Sequence, residues 1–197
     1  MQIERLKQDL DSELSLASDT YDISFVDIDG TKKMIYKHHY GHNTVSLTQV
    51  LSDGIWILEA EFSDVQRGHT SIGIVRDNFT IPTGAYVNGR QNSMHMAVYG
   101  QGGWNQDCTI LCKGRKCYGN QMFQEKDIIK LEFDSEKGTL KFFLNNTQQP
   151  VYIQGIKEKV RFIVYMLYCN SSCTIHSLKK IQSPTSKSLS NEFAIHW

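Results

Sequence analysis

Glu59 and Glu61 stand two residues apart, with Asp64 three further on. Residues two apart share one face of a strand. Two carboxyls about 5 Å apart across a sugar are the nucleophile and acid/base pair of a retaining glycoside hydrolase. The interleaved residues Trp56, Leu58, Ala60 and Phe62 are apolar and read as the core-facing side of that strand. Cleavage of a sugar would need an aromatic-lined groove around the two glutamates, and paired carboxylates alone are common. The plainer reading makes them a polar outer face. His38, His39 and His42 form an H-H-x-x-H cluster. Zinc needs several ligands that converge. On a strand His38 and His39 would face opposite ways, so no metal is expected. The five cysteines, Cys108, Cys112, Cys117, Cys169 and Cys173, show no C-x-x-C pairing. They suit buried strand positions as small hydrophobes. Gly100-Gln101-Gly102-Gly103, followed by Trp104, lacks the Lys and Ser/Thr of a phosphate loop. No catalytic set and no cofactor emerge from spacing.

These residues need elements to hold them, and the clearest elements lie further along. In the segment 118–145, Ile129, Leu131 and Phe133 alternate with Lys130 and Glu132. After the turn Asp134–Gly138, Leu140, Phe142 and Leu144 repeat the apolar face and Lys141 points the other way. A period of two predicts strands with one face buried and one wet, joined here as an antiparallel hairpin. Similar short runs predict strands near 22–26, 33–37, 44–47, 55–62, 71–76, 94–99, 108–111, 161–167 and 174–180. Turn signals at Asp29-Gly30, Asp53-Gly54, Asn88-Gly89 and Gly102-Gly103 separate them. The pattern is all-β, a sandwich of two antiparallel sheets.

Three regions follow. Residues 1–19 carry Ile3, Leu6, Leu10 and Leu14 at steps of three or four, a narrow helical stripe. It reads equally as a coiled-coil end that would support a homodimer or as a short helix packed on the domain. Residues 20–181 form the sandwich. Residues 182–197 are a tail, polar and Ser-rich over Gln182–Ser190, whose alternating Phe193, Ile195 and Trp197 suit a last strand or plug.

The chain has 197 residues, 40% hydrophobic and 21% charged, with a formal net charge of zero. That balance argues against a bulk electrostatic grip on nucleic acid or anionic membrane. The short run Lys113-Gly114-Arg115-Lys116 reads as a solvated loop. No apolar run approaches the ~20 residues that span a bilayer. The opening MQIERLKQDLDSEL is charged throughout, unlike a signal peptide. With an odd number of cysteines, it points to a reducing home, the cytoplasm with the nucleus as alternative. On that reading the sequons at Asn78, Asn145 and Asn170 are chance.

Four segments in order resemble the SPRY domain, a bent, concanavalin-like sandwich. Gly54-Ile55-Trp56-Ile57-Leu58-Glu59-Ala60-Glu61-Phe62 is similar to the family's Gly-x-x-Trp-x-x-Glu-Val strand. Ser71-Ile72-Gly73-Ile74-Val75-Arg76 is similar to its Ile-Gly-Val strand. Ala97-Val98-Tyr99-Gly100 with Tyr118-Gly119 forms the third, and Lys126-Asp127-Ile128-Ile129 through Asn146 the fourth. The resemblance spans roughly residues 40–181. It is nearer the Ran-binding and Ash2-like type than the longer PRY-SPRY type. Lys126 and Lys130 stand where the family has glycines, and Asn146 replaces its turn glycine, which marks a divergent member.

The resemblance implies a non-catalytic protein-interaction module that binds a peptide or loop of a partner protein, with no cofactor, no nucleic acid and no membrane. Loops on a rigid scaffold are where recognition is expected. By position against the neighbouring motifs, three loops would bind. The first carries Arg76 and Asp77. The second carries Tyr86 and Asn88, with Tyr86 at a position where SPRY domains of SOCS-box proteins hold a peptide-contacting Tyr. The third carries Tyr168, Cys169, Asn170 and Ser171. The bland alternative makes Tyr86 and Tyr168 half-buried struts. The rival functions are a lectin-like sandwich that binds sugar and, behind it, a glycosidase using Glu59 and Glu61.

Overall fold

A computed structural model describes residues 21–65, 69–101 and 108–197. The helical stripe at 3–17, and with it the homodimer reading, lies outside these residues. So do the Gly102-Gly103 turn and Trp104.

The strands in chain order are β1 (Ile23–Asp27), β2 (Lys33–Lys37), β3 (Asn43–Ser46), β4 (Ile55–Ser63), β5 (Thr70–Arg76), β6 (Met96–Gln101), β7 (Cys108–Cys112) and β8 (Arg115–Tyr118). They continue with β9 (Ile128–Asp134), β10 (Thr139–Leu144), β11 (Thr147–Gln148), β12 (Val151–Gln154), β13 (Val160–Met166), β14 (Ser172–Ile181) and β15 (Phe193–His196). One helical turn, α1 (Arg90–Ser93), precedes β6. Among the described residues one sheet runs β1-β2-β14-β4-β9-β10-β12-β15, with β11 paired to β10. The other runs β3-β13-β5-β6-β7-β8. All pairings are antiparallel except β12 with β15, which is parallel.

Alternation builds the core as expected. Leu58, Ala60, Phe62, Ile129, Leu131, Phe133, Leu140 and Phe142 from the large sheet meet Ile72, Ile74, Ala97, Tyr99, Phe162 and Val164 from the small one, all buried. Removing such side chains from water stabilises the fold by roughly 1.5–3 kcal/mol each. Close approach of the backbones is built in at Gly73, where a Cβ would run into the Ala97 carbonyl and Val98 Cα of β6.

Both outer faces are also covered, which alternation does not announce. Residues 77–95 leave β5 and cross the outer face of the small sheet as an arm. The arm lays Ile81, Ala85 and Val87 on Val75, Val98, Ile163 and Tyr165, a second buried cluster. Residues 182–192 cross the large sheet as a strap. This corrects the expected wet face of β9: Lys130 is 8% and Glu132 2% exposed. Glu132 accepts hydrogen bonds from Thr185 and Ser186, and Gln148 and Lys187 exchange a reciprocal pair of bonds. Lys141 pairs with Glu192 at 2.7 Å. The strap then enters β15 against β12, and the Trp197 indole donates to Glu158 at 2.6 Å.

Two further local differences from the sequence reading have plain causes. The basic run continues into β8, an exposed edge strand on which Arg115 and Lys116 face solvent, as edge strands tolerate. β14 carries a bulge between Ile175 and Ser177. The bulge turns His176 and Ser177 to the same outer face, where they meet Glu61 and Glu59.

Candidate functional site

Strand pairing fixes which loops meet. Thr70 at the start of β5 pairs with Met166 at the end of β13, and Asn43 at the start of β3 pairs with Met166 too. The large sheet brings the end of β2 beside the start of β14 through Tyr36 and Ser172. The segments 38–42, 69 and 167–171 therefore converge on one rim of the sandwich. The arm reaches the same rim at its tip, because Thr44 donates a hydrogen bond to the Ala85 carbonyl at 2.8 Å.

Six rings gather there. His42 stacks on Tyr86 with centroids 4.2 Å apart, and its Nδ1 lies 2.7 Å from the Tyr165 hydroxyl. Tyr86 and Tyr165 are 5.7 Å apart. Tyr168 lies 5.7 Å from Tyr40 and meets His69 edge-on at 5.4 Å. Tyr40 is 69% exposed. Tyr86 and Tyr168 are half-buried and packed against the cluster beneath the arm. They are struts on one side and surface on the other.

Charge at the rim follows from burial. Loss of solvent pushes the Tyr165 phenol up, so it stays protonated, and lowers the imidazolium stability of His42 and His69. His42 is lowered first by that desolvation and then by the charges of His69 and Lys37. Lys37 is fully buried, and its ammonium bonds Asn43 Oδ1.

The sequence-predicted residues divide between the two ends of β5. Tyr86, Asn88, Tyr168, Cys169, Asn170 and Ser171 lie at or beside the rim. Asn170 is exposed, takes a left-handed φ of 66°, and accepts a bond from the Tyr36 hydroxyl at 2.9 Å. Ser171 is buried and donates to the Tyr168 carbonyl at 2.6 Å, so it shapes the loop from within. Cys169 is half-buried, and Asn88 lines a small apolar crevice with Ser71 and Gly100. Arg76 and Asp77 sit at the other end, since Arg76 pairs with Val160. Six strand steps separate that end from Thr70, roughly 20 Å. There Arg76 pairs with Glu158 at 3.0 Å and lies over the Trp197 ring, and Asp77 meets Arg161 at 3.3 Å. The structure does not bring them to the rim.

Tyr40, His42, His69 and Tyr165 complete the rim and were not legible as such, because the rings they meet lie 40 or more residues away. The H-H-x-x-H cluster divides: His39 stacks on Tyr21 at 4.4 Å with the His38 ring 6.3 Å away, while His42 turns to the arm. Among the described residues no group of three His, Cys, Asp or Glu side chains is placed to hold a metal. Glu59 and Glu61 face outward and accept hydrogen bonds from Ser177 and His176, each at 3.1 Å. No helix among the described residues is long and apolar enough to cross a membrane.

The model of one protein family, the SPRY domain, matches residues 55–179. The solved SPRY domain of human HERC1 superposes with a TM-score of 0.59 at 13% identity, covering 84% of this chain and 99% of that one. The TRIM65 PSpry domain gives 0.56 at 11% identity, covering 78% and 89%. Stonustoxin gives 0.56 at 16% identity over 82% of this chain, but only 26% of its own. At such identities the likeness is one of fold. No curated protein matches the sequence.

Proposed function

The chain belongs to the SPRY domain family, and from that premise we propose that it is a non-catalytic adaptor acting inside the cell. It holds an extended peptide or exposed loop of a partner protein at the rim. The observation that carries this reading is the ring cluster of Tyr40, His42, His69, Tyr86, Tyr165 and Tyr168, assembled from separate segments on a rigid two-sheet frame. Tyrosines anchored on one edge and wet on the other offer contact area at small entropic cost, as recognition hot spots do. Asn170 and the loop backbone supply polar groups beside them. Arg76 and Asp77 drop out of the binding set and act as fastenings at the opposite end.

A sugar-cleaving or sugar-binding reading has less support. Glu59 and Glu61 are engaged by β14, and neither lines the cavity of about 340 Å³ beside the strap, which Lys137, Lys141, Tyr152 and Lys187 help to wall.

Affinity capture from native lysate followed by mass spectrometry tests the adaptor reading. Tyr40→Ala, at an exposed ring, is expected to shift stability by no more than about 0.5 kcal/mol while losing partners that the wild type retains. Tyr168→Ala is expected to lose the same partners at some cost in packing. A partner set unchanged in both folded variants would defeat the site.

A further inference from the structure

We propose that the cavity beside the strap binds a phosphate monoester, borne either by a small molecule or by a serine of another protein. This site is separate from the rim and does not depend on it. Ser172 pairs with Ser63 at the rim end of the large sheet, whereas Asp134 of the cavity pairs with Ile55, eight positions back along β4 and roughly 25 Å away.

The cavity holds about 340 Å³, within the range of about 300–1,000 Å³ that small-molecule sites occupy. Two parts of the chain wall it. The ends of β9 and β10, the turn between them and β12 supply Asp134, Lys137, Thr139, Lys141 and Tyr152. The strap closes it with Ser186, Lys187 and Ser188. Lys141 is fixed in place, because its ammonium pairs with Glu192 at 2.7 Å and lies 4.3 Å from the centre of the Tyr152 ring. Lys137 reaches Asp134 at 3.4 Å, but its side chain is 64% exposed, and so open a pair gives way readily. Asp134 is turned toward its own loop, where Oδ1 accepts from the N–H groups of Glu136 and Lys137. Lys187 and Ser188 are exposed and can swing toward an arriving ligand.

Three ammonium groups therefore meet the two carboxylates of Asp134 and Glu192, which leaves one positive charge in excess among these residues. The hydroxyls of Thr139, Tyr152 and Ser188 add donors. A cation would approach three like charges. A neutral sugar would use the hydroxyls and leave the lysines unanswered. A phosphate dianion uses both, since lysine binds it as a point charge and hydroxyls donate to its oxygens. Sheet and strap share the walls, so a bound ligand bridges them and holds the strap down by linkage.

The full chain is titrated at constant ionic strength with glycerol 3-phosphate, with a Gly-Ser peptide carrying one phosphoserine, and with glycerol as the uncharged control. Binding is followed by calorimetry and by amide hydrogen exchange. The expected result is saturable binding of the phosphorylated probes, with exchange slowed in residues 182–192. The tighter of the two probes identifies the source of the phosphate. Lys137→Gln and Lys187→Gln, both at exposed side chains, should each weaken binding about threefold and together about tenfold. The second proton of a phosphate monoester titrates near pH 6. Affinity should accordingly fall roughly two- to fourfold from pH 7.5 to 5.5. Glycerol binding as tightly as its phosphate, an affinity unmoved in the double variant, or no saturable binding of either phosphorylated probe would overturn the proposal. None of these results would bear on the rim.

Discussion

Thr185 fastens the strap to Glu132 twice, with its backbone N–H at 2.8 Å and its hydroxyl at 2.6 Å, and the Ser186 N–H adds a third bond at 3.1 Å. Burial by itself would raise the Glu132 pKa, but these donors outweigh it and hold the carboxyl below the ordinary value of 4.5. A carboxylate depressed on folding contributes stability that is complete above its unfolded pKa and lost as the pH falls through the folded one. Glu132→Gln is therefore expected to cost about 1–3 kcal/mol at pH 7, read by urea unfolding. The difference from wild type should shrink on going from pH 6 to pH 3. Hydrogen exchange should rise first in residues 182–192. Equal stability of the two proteins at pH 7 would show that the latch contributes nothing.

Gly73 pairs with Val98 across the β5–β6 ladder, and its bare Cα lets the β6 backbone come close. The atoms that an added methyl would strike are backbone, which cannot rotate aside. Gly73→Ala should lose at least about 2 kcal/mol, a fall in melting temperature of roughly 5 °C or more. A melt within a degree of wild type would show that the sheet tolerates the methyl there.

Lys126 carries a left-handed φ of 67°, at a place where the family pattern has glycine. That conformation costs an L-residue with a Cβ about 1–2 kcal/mol, part of which glycine gives back through its freer unfolded chain. Lys126→Gly should raise stability by about 0.5–1 kcal/mol, measured by thermal and chemical unfolding. Its backbone bond from Lys126 N–H to the Phe62 carbonyl should persist. The neighbouring turn at Asn145 and Asn146, with φ of 46° and 67°, already uses the residue that tolerates this region best. No comparable gain is expected there.

The β9–β10 hairpin was legible because its inward residues alternate without interruption, and six register pairs follow that alternation. What lay outside reach was distance. Nothing near Glu132 in the sequence announces that residues 53 positions later will cover it, so its face read as wet. β12 was missed because its four residues are defined as much by the pairing with β15 as by their own pattern. The same limit applies to the rim. Tyr86 and Tyr168 could be placed by resemblance, each beside a recognisable motif. His42 and Tyr165 could not, since 123 residues separate two groups that share one hydrogen bond. Arg76 was grouped with Tyr86 by position against the neighbouring motifs. β5 ends at Arg76, and the arm then carries the chain back to the opposite rim.

The bulge in β14 acts as a phase correction. Cys173 and Ile175 point inward before it and Leu178 points inward after it, a spacing of three where alternation allows two or four. One supernumerary residue, His176, absorbs the difference. Forced into unbroken alternation with that residue kept, the remainder of the strand would turn over: Ser177 would be driven among the apolar layers and Leu178 out to water. Deleting His176 would instead set Ser177 directly after Ile175, opposite the consecutive Glu59 and Ala60, and leave Leu178 inward, so the strand would straighten and lose the contact with Glu61.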